Sequence, residues 1–272
     1  MRSYLTGGIL TLAALGLCSV LLPQSPAAAL LAQTPIAPSG GASAQAAKDA
    51  GSQAAKPIPA HDLSGVWSAA SGGQATLRAE KIPPMTPEGA ARFKDNTGEL
   101  KDANSIITKD PAFSCLPAGV PHTFQNGAFP FEIVQTPQRI FLFYESAHNW
   151  REIWMDGRSI PKDADPTWMG YSVGHWDGND LVVDVGNFND RTWLDPLGHP
   201  HSDALHVTER YHRTAYDALH IEFTIDDPKS YTASWKMSVD FRLRPKWEIA
   251  ESYCLPEDQE NFQKTIFEPN AK

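Results

Sequence analysis

The chain has 272 residues, with 23 Lys and Arg against 32 Asp and Glu, a formal net charge of −9. Acid excess without a basic run excludes a protein that tracks nucleic-acid phosphates, and it equally disfavours anionic membrane surfaces. A small, neutral or apolar ligand or substrate fits this balance better.

The first predicted element is a leader. Arg2 precedes an apolar run from Ile9 to Leu22, and Ala27, Ala28 and Ala29 offer a cleavage site, which is the order of a secretory signal peptide over residues 1–29. The run is too short for a comfortable membrane span. The expectation is therefore a periplasmic or secreted protein with no membrane attachment after cleavage. Cys18 follows Leu17 where a lipidation signal has a small residue, which argues against a lipid anchor. Losing the leader removes only Arg2 among the charged residues and leaves 22 basic against 32 acidic side chains. Residues 30–60 are rich in Ala, Pro, Gly, Ser and Gln, with Lys48, Asp49 and Lys56 as the charges. Such a segment buries too little apolar surface to offset its chain entropy and reads as a disordered linker. Residues 61–272 then form one domain.

Within that domain Thr86-Pro87-Glu88 signals a short helix running to Phe93, with an N-cap, a proline at the first helical position and an acid in the first turn. The remaining pattern is strands: 131–136, 139–145, 150–156, 171–176, 181–185, 204–213, 219–225, 233–243 and 247–253, rich in aromatic and β-branched residues. Leu219, Ile221, Phe223 and Ile225 alternate with polar neighbours, as do Trp235, Met237, Val239, Phe241 and Leu243. Sequential hairpins with one wet face predict an all-β fold, an antiparallel up-and-down, calycin- or lipocalin-like barrel of about 8–10 strands with one or two short helices. A barrel of that size holds one small ligand. Cys115 and Cys254 remain after leader cleavage, and an oxidising compartment permits a disulfide between them.

Several long phrases stand out: Pro83-Pro-Met-Thr-Pro-Glu-Gly89, Cys115-Leu-Pro-Ala-Gly-Val-Pro121, Pro130-Phe-Glu-Ile-Val-Gln-Thr-Pro137, Asp165-Pro-Thr-Trp-Met-Gly-Tyr-Ser-Val-Gly-His-Trp-Asp-Gly178 and Gly198-His-Pro-His-Ser-Asp-Ala-Leu-His-Val-Thr-Glu-Arg210. With them the folded part resembles, over nearly all its length, a family of secreted bacterial proteins of unassigned function. The resemblance implies no particular reaction, so chemistry is read from the residues.

The densest chemistry lies in residues 187–209, a long polar connection entering a strand. It holds His199, His201, His206, Asp190, Asp195, Asp203, Glu209, Arg191 and Trp193, and long connections are often functional. A metal-dependent enzyme using His199-x-His201 is one reading, but His206 and Glu209 are three positions apart and face opposite sides of a strand. General acid–base catalysis demands less. His201 or His199, oriented by Asp190, Asp195 or Glu209, supplies a titrating imidazole, and Arg191 or Arg151 supplies charge stabilisation. Trp168, Trp176 and Trp193 offer a stacking wall for a sugar or aromatic ring, and Tyr144, Glu145, His148 and His175 join the candidate binding residues, with His175 expected to point into the barrel. Ser172 and Ser202 stand near histidines, yet Gly170–Gly174 lacks the strand–turn–helix context of a nucleophile elbow. The leading expectation is an exported small-molecule enzyme of lyase, isomerase or hydrolase type that acts on a neutral, aromatic or carbohydrate-like substrate and uses no cofactor. The alternative is a barrel that carries an apolar small molecule without turnover.

Overall fold

The computed structural model describes residues 56–72, 76–98, 106, 109–125, 129–255 and 257. The leader and most of the linker lie outside the described residues. Among the described residues ten strands form one sheet: β1 (Gly65–Ala69), β2 (Arg78–Ala79), β3 (Phe131–Gln135), β4 (Arg139–Tyr144), β5 (Trp150–Trp154), β6 (Tyr171–Asp177), β7 (Asp180–Gly186), β8 (His206–Ala215), β9 (Ala218–Asp226) and β10 (Trp235–Leu243). β1 pairs with both β3 and β10, which closes nine of them into a barrel, while β2 pairs along β10 outside the ring. Closure removes the exposed edges that an open sheet would present.

Around the ring the nine strands follow chain order, as a meander should, with one departure in direction. β5 and β6 run parallel, with Ile153 opposite Ser172, so the barrel is mixed rather than wholly antiparallel. A parallel neighbour cannot be reached by a hairpin, and residues 155–170 make the crossing. The expected strand at 247–253 does not form. Its place beside β10 is taken by β1, with Trp67 opposite Leu243, and Trp247 and Tyr253 are left exposed. That segment is instead fastened by a disulfide between Cys254 and Cys115 and by the Ala250 N–H donating to Glu145 at 2.7 Å.

The inward face is apolar where the alternation predicts it, with Leu219, Ile221, Phe223 and Ile225 of β9 facing Met237, Val239 and Phe241 of β10. The lumen is filled at this level. Phe124, carried on a 3₁₀ turn at His122–Gln125, meets the rings of Phe131, Tyr144, Tyr211, Phe223 and Phe241 at centroid distances of 5.4–6.3 Å. A polar cluster lies against this plug: Arg151 of β5 donates to both oxygens of Glu209 of β8 at 2.8 and 3.0 Å and to Ser172 at 2.9 Å, and Tyr211 donates to Glu209 at 2.8 Å.

The α-helix Pro87–Thr97 (α1) packs outside the barrel. Thr86 accepts from the Gly89 N–H at 3.0 Å, Pro87 needs no donor partner there, and Glu88 faces the positive helix end. Gly89 is required by contact: a Cβ at this position would sit 2.2 Å from the Ser230 carbonyl oxygen. The helix is thereby seated on the segment leading into β10, beside the connection between β7 and β8.

Candidate functional site

That connection folds back on itself. Trp193 pairs with Pro200 across an antiparallel bridge, and Leu194 N–H donates to the His199 carbonyl at 2.9 Å. Asp195-Pro-Leu-Gly198 is the turn between them. Asp195 Oδ1 accepts from the Leu197 and His199 N–H groups at 3.0 and 3.4 Å, and Gly198 adopts φ 88°. The same register sets Thr192 opposite His201.

These two side chains meet. His201 Nδ1 lies 3.0 Å from the Ser202 carbonyl and Nε2 lies 2.6 Å from Thr192 Oγ1. A carbonyl only accepts, so Nδ1 carries the proton and the Thr192 hydroxyl donates to the Nε2 lone pair. His201 is 1% exposed. Burial holds its imidazole below the ordinary histidine range, against the opposing pull of the Ser202 carbonyl and of Asp227 and Asp190. Ser202 is itself fixed, with its N–H and Oγ–H donating to the two oxygens of buried Asp227 at 2.5 and 2.7 Å. Asp227 is thus a positioning residue behind the pair. Gly119 closes over it: a Cβ there would meet Thr192 Oγ1 at 2.6 Å.

Thr192 and His201 line a cleft of about 510 Å³ between α1 and the 187–205 connection, together with Arg92, Asn96, Lys109, Asp190, Arg191 and Trp193. α1 supplies one wall. Arg92 donates to Asp190 at 3.0 Å and to the His201 carbonyl at 3.3 Å, and Asn96 donates to the Gly198 carbonyl at 2.9 Å. Among the described residues neither Lys109 nor Arg191 has a carboxylate partner. The lining holds three cations, Arg92, Lys109 and Arg191, against two carboxylates, Asp95 and Asp190, and this excess of one positive charge in an acid-rich chain favours an anionic ligand.

The structure gathers part of the expected set and disperses the rest. Asp190 shares the cleft with His201 but is paired with Arg92, so the Ser202 carbonyl, not a carboxylate, orients the ring. Glu209 and Arg151 neutralise one another in the lumen, which removes both from the roles expected of them beside His201. Burial opposes the Arg151 charge and the Glu209 carboxylate overrides that cost, so the guanidinium stays protonated. Tyr144 belongs to the same lumen cluster, and burial raises its hydroxyl pKa. His175 is exposed: Ser172 turns inward to Arg151, which by strand parity sends residue 175 outward. His199 pairs with Asp195 at 2.6 Å and stacks on Phe93 of α1. His206 sits on the outer face near Asp184, opposite in sense to buried Glu209. Trp176 stacks on His61 at 4.7 Å, remote from the cleft lining. Among the described residues no group of three or more His, Cys, Asp and Glu is arranged to hold a metal ion. Thr192, Arg92, Asn96 and Asp227 were not legible as site residues from composition. The signal for Thr192 was the Asp195-Pro-Leu-Gly198 turn, whose register places residue 192 across from residue 201.

No family model matches the chain, and no curated protein matches it either.

Proposed function

We propose that this is an exported hydrolase-type enzyme for a small anionic substrate, working in the cleft between α1 and the 187–205 connection. The observation that carries the reading is the 2.6 Å contact of Thr192 Oγ1 with the unprotonated Nε2 of His201. A hydroxyl held on a neutral imidazole, with the ring oriented through its other nitrogen, is the arrangement of an activated nucleophile. Thr192 Oγ1 attacks an electrophilic acyl carbon as its proton passes to Nε2. The leaving group departs with that proton, and a water deprotonated by the same nitrogen then releases the acyl group. Arg191 and Lys109 face the negative charge of the substrate. The Arg2, Ile9–Leu22 and Ala27–Ala29 leader pattern and the Cys115–Cys254 bond support export.

The test is covalent labelling with a fluorophosphonate followed by peptide mass spectrometry. The adduct is expected on Thr192, abolished in T192V, retained in T192S and strongly reduced in H201Q, with thermal melts establishing that each variant is folded. An adduct absent from Thr192, or indifferent to H201Q, overturns the assignment.

A second reading, capture of an anionic small molecule without turnover, is favoured by one fact: both ring nitrogens of His201 are engaged and the side chain is 1% exposed. In that case T192V leaves ligand affinity unchanged and no adduct forms on any cleft residue.

A further inference from the structure

On the far side of the ridge made by Asp190 and Arg191 lies a second groove of about 430 Å³. Its floor and walls are Phe188, Pro166 and the half-buried ring of Trp168. Its rim is polar, formed by Asn189, Asp190 and Asp203. The two carboxylates are already charge-balanced, Asp190 by Arg92 at 3.0 Å and Asp203 by Lys229 at 2.6 Å, so they present acceptor oxygens without two uncompensated charges. The Asn189 amide nitrogen has no hydrogen-bond partner among the described residues, its oxygen accepting from the Arg191 N–H at 3.2 Å. The Arg191 guanidinium stands 5.9 Å from the Trp168 ring centroid, reaching from the ridge toward the groove.

An indole platform ringed by amide and carboxylate groups matches the two faces of a pyranose. The C–H face of the sugar lies on the aromatic ring, and its hydroxyls donate to carboxylate oxygens and accept from the amide. A plain aromatic acid would leave those rim groups without partners, at a cost in affinity. Arg191, with no carboxylate partner among the described residues, adds the element that a neutral sugar does not use.

We propose that the Trp168 groove seats a pyranose ring of an acidic saccharide, its carboxylate directed to Arg191 and the bond acted upon extending over the ridge to Thr192. The proposal rests on the reading of the adjacent cleft as the reaction site and names its substrate class. Trp168 is the stacking platform and Arg191 the discriminator between acidic and neutral sugars.

Titration by ligand-observed NMR on the full chain in the T192V background, where turnover is blocked, tests it with methyl β-glucuronide, methyl β-glucoside and benzoate. The glucuronide is expected to bind best. W168A should weaken it about tenfold, the loss of one aromatic stacking partner, while W168F retains most of the affinity. R191Q should bring the glucuronide down to the level of the glucoside. Equal binding of the two sugars to the parent protein, an affinity indifferent to W168A, or benzoate binding more tightly than the glucuronide overturns the proposal. Fluorophosphonate labelling of Thr192 involves no sugar, so labelling that persists while the sugar titration fails overturns this proposal alone, and loss of labelling overturns the cleft chemistry itself.

Discussion

His201 shows how burial selects a protonation state. The unfolded chain titrates its histidines near 6.5, whereas the folded His201 lies lower because its charged form would lose water within the wall of the cleft. Below 6.5 the unfolded chain therefore binds a proton that the folded chain refuses. Stability from this residue is complete above that value and is lost as pH falls toward the folded pKa, at no more than about 1.4 kcal/mol per pH unit crossed. Asp110 acts in the opposite sense. Burial raises its pKa above 3.8 despite the nearby His122, so its contribution strengthens as acid protonates the folded form, in a window that opens lower on the pH scale. Urea midpoints taken from about pH 7.5 down to about pH 5.5 should fall in the parent protein, and H201Q should flatten that slope. An equal slope in both proteins would show that His201 is not kept neutral. Residue identity made His201 visible in the sequence. Its partner Thr192 carries no such signal alone and becomes meaningful only through the register of a turn.

At the level of elements, α1 was readable because its start is written in local chemistry. Thr86, Pro87 and Glu88 act on backbone groups a few positions away and need no knowledge of the barrel. Its extension to Thr97 was not readable, because the last turn is held by tertiary contacts: Asn96 to the Gly198 carbonyl and Phe93 against His199. The same distinction explains the segment 247–253, whose residue types suit a strand but whose neighbouring edge β1 already occupies. Two substitutions separate the cap from the seat. T86A removes the acceptor for the Gly89 N–H and should cost about 1 kcal/mol of stability. G89A should cost more, because a methyl group 2.2 Å from the Ser230 oxygen cannot be accommodated without lifting the helix. Since α1 carries Arg92 and Asn96 in the cleft wall, G89A should also reduce fluorophosphonate labelling of Thr192, while T86A leaves it near the parent value. If both variants retain the parent labelling, the helix is not a working wall of the cleft.

The candidate cleft lies outside the barrel, whereas the buried Arg151–Glu209 pair lies inside it. Strand alternation predicts which side chains enter the lumen, but not that Phe124 would plug it from a turn, because that insertion depends on a segment with no strand periodicity. Nor does alternation distinguish a lumen glutamate serving catalysis from one neutralised by an arginine across the barrel. Glu209 and Arg151 come from strands 58 residues apart in sequence and meet only when β5 through β8 are laid side by side. Their side chains are 0% and 1% exposed, so neither charge can fall back on water. Removing one partner strands the other in an apolar lumen at a cost of about 3–5 kcal/mol, whereas replacing both with apolar groups of similar volume restores much of that loss. R151M and E209L should therefore each lower the urea midpoint sharply, and the double variant should stand above either single one. A catalytic role for the pair would give a different pattern, with fluorophosphonate labelling of Thr192 lost in the folded double variant. Labelling that persists there assigns the pair to the architecture of the barrel, and leaves the outer cleft as the place where substrate meets the protein.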